Sequence, residues 1–161
     1  MEKRKKIFEK RISHFTKLAY EQAKINLGST GQNPSVGCII EKNGSVISSG
    51  RTSLNGRPHA EYNALNKEIN FKDSKMYITM EPCTHFGKTP PCTNKIIQKK
   101  IKKVFFSSFD ADIRTSYKAK KILSKNKIFV RENVLDKLAR TFYKSYFLSK
   151  QKSLPLIDAK I

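Results

Sequence analysis

An α/β layered fold around a mixed sheet is predicted by three observations. Short β-type runs alternate with stretches of helical apolar spacing, one Asn-Gly pair joins two runs as a tight antiparallel hairpin, and no internal repeat or low-complexity linker interrupts the alternation. In order, Phe15, Leu18, Ala19 and Ala23 recur every three to four residues and predict a helix from about Ser13 to Leu27. The stretch Gly28 to Pro34 ends it, since Gly weakens a helix and Pro disfavours αR in the residue before it. Val36 to Ile40 is a strand, Asn43-Gly44 tolerates the positive φ of a hairpin turn, and Ser45 to Ser48 returns. A polar loop from Arg51 to Pro58 leads into a helix through Ala60, Ala64 and Leu65. Lys75 to Met80 is a strand, Glu81 to Pro91 a loop, and Thr93 to Lys100 a helix. Val104 to Phe106, a helix from Tyr117 to Leu123, and Ile128 to Val130 complete the alternation before one C-terminal helix through Leu135, Leu138, Phe142, Tyr146 and Phe147.

Composition bounds the function. The 161 residues fit one core, and ten Phe and six Tyr supply a packed interior despite a net charge of +20. Residues 1–12 form a basic extension, and no apolar stretch follows Met1 to Lys6 as a secretory leader requires. No apolar run approaches the roughly 20 residues of a membrane span. Three Cys, an odd number, argue against a disulfide framework, so a reducing cytoplasm is the expected location. The charge first suggests nucleic acid, and residues 82–109 and 113–131 carry no acid at all. Yet 26 of the 33 basic residues are Lys and only seven are Arg, and no Arg cluster of the kind nucleic-acid readers use is present. A Lys-rich background explains the charge better, and nucleic acid is disfavoured as a partner.

Three segments carry chemistry: Pro58-His59-Ala60-Glu61 at a helix start, Glu81-Pro82-Cys83 at a strand end, and Pro90-Pro91-Cys92 at another helix start. One imidazole and two thiolates make a three-ligand zinc set, and an enzyme leaves the fourth position to water. The positive end of a helix favours thiolate at Cys92. Glu61 follows His59 by two residues, near enough to take a proton from a water at the metal and pass it to a leaving amine. Cys38, mid-strand among Val36, Ile39 and Ile40, belongs to the core instead. Zinc deaminases are marked by His-x-Glu and a later Pro-Cys-x-x-Cys. This chain matches His59-x-Glu61 and Pro82-Cys83 but separates Cys83 from Cys92 by eight residues.

That long spacing, in Glu81-Pro82-Cys83-Thr84-His85-Phe86-Gly87-Lys88-Thr89-Pro90-Pro91-Cys92, resembles the loop of the bacterial riboflavin-biosynthesis pyrimidine deaminases, EPCxHxGxTPPC. Asn33-Pro34-Ser35-Val36-Gly37-Cys38 is similar to their NPxVGC segment and Gly56 to Glu61 to their GxPHAE. The resemblance implies a three-layer α/β/α cytidine-deaminase-like sandwich over residues 13–150. It implies zinc on His59, Cys83 and Cys92, and proton transfer by Glu61 during hydrolytic loss of ammonia from C2 of a phosphorylated diaminopyrimidinone. It also implies substrate contacts from Asn33, Lys88 and Asp110, with His85 two residues beyond a ligand as a lining residue. A point cation at Lys88 suits a phosphate on charge grounds too; the plainer alternative is one more solvated Lys.

Two departures touch the substrate shell. Where the family has a His seven residues before the zinc His, this chain has Thr52. Where the family reads Asp-Pro-Asn-Pro, Asp110-Ala111-Asp112-Ile113-Arg114 stands, and the extra charge of Asp112 is expected to disfavour a nearby phosphate. Residues 151–161 resemble the first strand of the reductase to which the family is often fused, without a nucleotide loop, so no reductase activity or NADP binding is expected. The reductase is then a separate polypeptide, or the chain a truncated relative. The apolar C-terminal helix also leads us to expect self-association. Two other readings stand beside the first: a deaminase of another nucleotide or of a tRNA base, and a non-catalytic zinc-stabilised module, against which a retained Glu61 speaks.

Overall fold

The computed structural model describes residues 1–153 together with Pro155. Helix α1 (Glu2–Ile25) buries Ile12, Phe15, Ala19, Tyr20 and Ala23, one face at three- to four-residue intervals. It starts well before Ser13, because the Lys-, Arg- and Glu-rich stretch of residues 2–11 holds good helix formers and no breaker. Two side chains dock this early part. Glu9 accepts two hydrogen bonds from the Arg131 guanidinium at 2.7 and 2.8 Å, and Phe8 meets Phe105 edge-on. The expected boundary between residues 12 and 13 therefore falls inside one continuous helix.

Strands β1 (Gly37–Lys42) and β2 (Ser45–Arg51) form the hairpin around Asn43-Gly44, and a bulge at Ile40/Glu41 shifts their register. Helix α2 (Ala60–Leu65) follows, then β3 (Lys75–Met80), α3 (Cys92–Gln98) and β4 (Lys103–Ser108). After α4 (Ala119–Lys125) and β5 (Phe129–Arg131) come α5 (Asp136–Phe142) and α6 (Lys144–Lys152). The sheet order is β2-β1-β3-β4-β5, with β1 antiparallel to both neighbours and β3, β4 and β5 parallel, so the sheet is mixed as the alternation predicts.

Alternation along the strands divides two cores. Ile40, Met76, Ile78, Val104 and Phe106 pack with Ala60, Ala64, Leu65, Ile96 and Leu123 of α2, α3 and α4. Ile39, Tyr77 and Phe105 face α1 on the other side, where the Tyr77 and Phe105 rings stack at 4.9 Å. The result is the three-layer α/β/α sandwich. No helix among the described residues is long and apolar enough to cross a membrane. Residue 154 and residues 156–161, most of the expected reductase-like tail, lie outside the described residues.

The C-terminal segment differs from the single helix expected of it. It is interrupted at Tyr143, whose buried hydroxyl reaches Thr79 Oγ1 at 2.5 Å and donates to the Ser35 carbonyl at 3.1 Å. Tyr143 thus closes α5 and precedes α6, and three residues further on the Tyr146 hydroxyl bonds to Asp110 at 3.1 Å. Helix α4 also starts later than Tyr117, and the cause is tertiary. The Glu81 carboxylate, 4% exposed, accepts the amides of Tyr117, Lys118 and Ala119 at 3.0 Å each and that of Asp110 at 3.4 Å. Tyr117, at φ 64°, leaves the helical path so that its amide can point there. Burial pushes the Glu81 carboxyl upward while the four amides oppose it, and all four partners are donors, which fits the ionised form.

Close approach of helix to sheet positions the hairpin side of the site. A Cβ on Gly50 would lie 2.2 Å from the Ala60 carbonyl oxygen, and one on Gly37 1.8 Å from that of Ala19. Both contacts are with backbone, so neither helix can yield cheaply. We expect Gly50→Ala to cost about 3 kcal/mol through overpacking, read as a lowered urea midpoint at unchanged slope; an unaltered midpoint would contradict the close approach. Glu81→Gln sets an amide N–H against backbone donors and should cost about 2 kcal/mol in the same measurement.

Candidate active site

The three ligand candidates come from three elements that the sheet brings together. His59 caps the N-terminus of α2 in extended conformation, Cys83 lies just past β3, and Cys92 opens α3. His59 Nδ1 stands 3.7 Å from Cys83 Sγ and 3.5 Å from Cys92 Sγ, and all three atoms lie within 4.8 Å of one another. Bonds of about 2.0 Å to nitrogen and 2.3 Å to sulfur at tetrahedral angles separate N and S by about 3.6 Å. The donor set therefore fits zinc in both chemistry and spacing, and leaves one tetrahedral position for a small molecule.

Further contacts prepare the sulfurs. The Cys92 amide donates to Cys83 Sγ at 3.2 Å, and Thr93 donates to the Cys83 carbonyl through both its amide and its hydroxyl at 3.3 Å. The thiol of Cys83 is drawn down to about 4, chiefly by the hydrogen bond from Cys92 and further by His59, whereas Cys92 is raised as the member that keeps the proton. Cys38 is fully buried in the core beside Ile40 and Ile78, as its position among apolar neighbours predicts.

Glu61, 4% exposed, lies in the first turn of α2. Burial pushes its carboxyl up to about 7, with His59 pulling the other way. A group that both binds and releases a proton near neutrality suits proton transfer.

A cleft of about 270 Å3 runs from these groups to the surface, and Asn33, Thr52, His85 and Asp110 line it together with His59, Glu61 and Cys83. Asn33 is held by a bond from Nδ2 to the Gly56 carbonyl at 3.0 Å, and His85 Nδ1 meets Thr115 Oγ1 at 2.8 Å. Asp110 accepts from the Asp112 amide at 3.0 Å and from the Tyr146 hydroxyl at 3.1 Å. Thr52 also braces the backbone. Its Oγ1 accepts the Val36 amide at 2.9 Å and donates to the Pro34 carbonyl at 3.2 Å, which fixes the segment carrying Asn33. Lys88 is the exception among the expected contacts, for it is exposed and does not line the cleft.

Asp112, whose charge is expected to disfavour a nearby phosphate, is paired with Arg114. Arg114 Nε lies 2.9 and 3.0 Å from its two carboxylate oxygens and Nη2 2.5 Å from one of them, which draws the carboxyl down to about 2. The extra negative charge is thereby covered by the chain itself. Arg57, Arg114, Tyr146 and Lys150 are lining residues that the sequence reading missed. Arg57 stands within the Gly56-to-Glu61 motif and could have been found there. Tyr146 and Lys150 line the cleft from α6, far along the chain from the ligand motifs, and leave no local signal.

Comparison with known proteins agrees with this geometry. Residues 9–108 match the family model of the cytidine and deoxycytidylate deaminase zinc-binding region. The chain is 40% identical over 138 residues to a diaminohydroxyphosphoribosylamino-pyrimidine deaminase of Buchnera aphidicola subsp. Schizaphis graminum, covering 85% of this chain and 94% of that one. It is 36% identical to the riboflavin biosynthesis protein RibD of Aquifex aeolicus, covering 91% of this chain but only 42% of that protein. Among solved structures, Acinetobacter baumannii RibD superposes with a TM-score of 0.85 at 32% identity, again over 91% of this chain and 42% of the other. The chain thus spans nearly the whole of one relative and less than half of the other two. With ligand spacing, buried carboxylate and sequence in agreement, the chain belongs to the zinc-dependent cytidine and deoxycytidylate deaminase family, within its riboflavin-biosynthesis pyrimidine deaminase branch.

Proposed function

We propose that the chain hydrolyses the C2 amino group of 2,5-diamino-6-(5-phosphoribosylamino)pyrimidin-4-one in riboflavin biosynthesis, giving the 5-aminouracil and ammonia. The observation that carries this is the convergence of His59, Cys83 and Cys92 beside the buried Glu61, with His59, Cys83 and Glu61 lining a cleft of about 270 Å3. The catalytic unit is assigned to residues 13–150. Zinc on the three ligands, when bound, supplies the Lewis acidity that lets water act as a nucleophile at neutral pH.

The protein's own groups do the rest. The buried wall excludes bulk water and presents the pyrimidine ring to Glu61. Its carboxylate takes a proton from the attacking water as the new C2–O bond forms. It then delivers a proton to the departing nitrogen as the C2–N bond breaks, so the amino group leaves as ammonia rather than as an amide ion. One water is consumed for each ammonia released. Asn33 and Asp110 present a carboxamide and a carboxylate to the polar edge of the ring, each already oriented by a hydrogen bond of its own. A substrate that is a phosphate monoester would place its charged end at the open side of the cleft.

Glu61→Gln should lower ammonia release about 1,000-fold while zinc content by metal analysis stays at one per chain; retained turnover would remove Glu61 from the mechanism. Stripping zinc with a chelator should abolish ammonia release, and adding zinc back should restore it. Failure of the zinc-loaded protein to release ammonia from this substrate would overturn the proposed activity.

A further inference from the structure

Phosphate recognition requires a cation that is free to meet it, and the cleft has three candidates. Arg57 gives one N–H, from Nη1, to the neutral Thr89 hydroxyl at 3.0 Å and keeps its charge, while Arg114 is paired with the Asp112 carboxylate. Lys150, exposed on α6, is different: its ammonium makes no hydrogen bond or ion pair among the described residues. It lies 5.6 Å from the centroid of the Tyr146 ring, one helical turn back along α6. Tyr146 is itself fixed by its hydroxyl bond to Asp110. The Lys150 ammonium thus rests beside the ring face at the cleft wall, with no hydrogen bond or ion pair among the described residues.

The carboxylates of the wall do not compete for that charge. Glu81 is saturated by backbone amides, Asp110 accepts from Tyr146 and the Asp112 amide, and Asp112 is paired with Arg114. Position fits as well. The reacting end is buried at Glu61 and Cys83, while Lys150 is exposed at the rim. A ring carrying a ribosyl phosphate enters ring first, because burying a phosphate dianion costs far more than burying a heterocycle. The phosphate then remains at the rim. We propose that Lys150 binds the substrate's phosphate there, the role that the family resemblance suggests for Lys88. This rests on the proposed phosphorylated substrate, and its test separates the two.

Zinc-loaded full-length protein is compared with Lys150→Ala, Lys150→Arg, Lys88→Ala and, as a charge control on the same helix, Lys152→Ala. The substrate is offered with its phosphate and as the dephosphorylated riboside. Loss of one charge-assisted contact should raise KM for the phosphorylated substrate about tenfold in Lys150→Ala, with kcat changed by less than about twofold. Turnover of the riboside should be unaffected, Lys150→Arg should recover most of the loss, and Lys152→Ala should behave as the parent. An unchanged KM, an equal loss on the riboside, or a loss carried by Lys88→Ala alone would overturn the assignment. Calorimetric titration with ribose 5-phosphate gives a readout independent of turnover. Binding about tenfold weaker in Lys150→Ala supports the subsite even if no ammonia is released, in which case only the proposed reaction fails. Equal binding by parent and variant, or none by the parent, overturns the subsite.

Discussion

The buried carboxylate of Glu81 couples the metal-ligand end of β3 to the wall that faces it. Two residues before Cys83, it gathers amides from Asp110, Tyr117, Lys118 and Ala119. An isolated ionised carboxylate at 4% exposure would cost several kcal/mol in desolvation. Four converging N–H groups offset that cost, and the same bonds satisfy donors that the late start of α4 would otherwise leave unpaired. The loop between β4 and α4 is therefore not free to find its own conformation. It is drawn onto the strand end, and Asp110, Asp112 and Arg114 arrive at the cleft already placed relative to Cys83. Preorganisation of this kind removes ordering cost from substrate binding.

The other half of the site is set by sterics. With no side chain at Gly50, the first turn of α2 can rest on β2, and that turn carries both His59 and Glu61. Ser48 Oγ donates to the Ala64 carbonyl at 2.6 Å and Asn63 Nδ2 to the Arg51 carbonyl at 2.8 Å, so polar bonds pin what the missing Cβ permits. Thr52 then ties the next stretch of chain to Pro34 and Val36. The position where the family carries a His is thus used here to hold backbone. Its hydroxyl is already engaged by backbone groups on both sides of Ser35.

Elements written in local sequence were legible. The hairpin at Asn43-Gly44, the strand Lys75 to Met80 and the ligand trio at element ends depend on turn chemistry, apolar runs and residue spacing within a few positions. What escaped depends on distant partners. The first turns of α1 have no apolar stripe, and their docking uses Arg131, 122 positions away from Glu9. The interruption between α5 and α6 falls at Tyr143, whose hydroxyl bonds to Thr79 and Ser35, neither adjacent in sequence. Arg114 beside Asp112 was visible as residues but not as a pair, because their geometry is a property of the loop that Glu81 shapes. Lys88, expected at the substrate from the resemblance and from its charge, is exposed and not among the residues that line the cleft.

The net charge of +20 has a different meaning once the cleft is known. The acid-free runs of residues 82–109 and 113–131 build α3, α4 and their connections, so much of that basic charge sits on an outer layer. The cleft itself has four carboxyl groups, Glu61, Glu81, Asp110 and Asp112, against Arg57, Arg114 and Lys150. Charges beyond a Debye length of about 8 Å are largely screened at physiological ionic strength. The global field can therefore speed the approach of an anion but cannot hold one in a site whose own balance is near neutral. Holding it falls to local cations, and what distinguishes those is their existing commitments rather than their number. An arginine locked to an aspartate supplies little new attraction, whereas an ammonium with no ion pair among the described residues supplies more of its own.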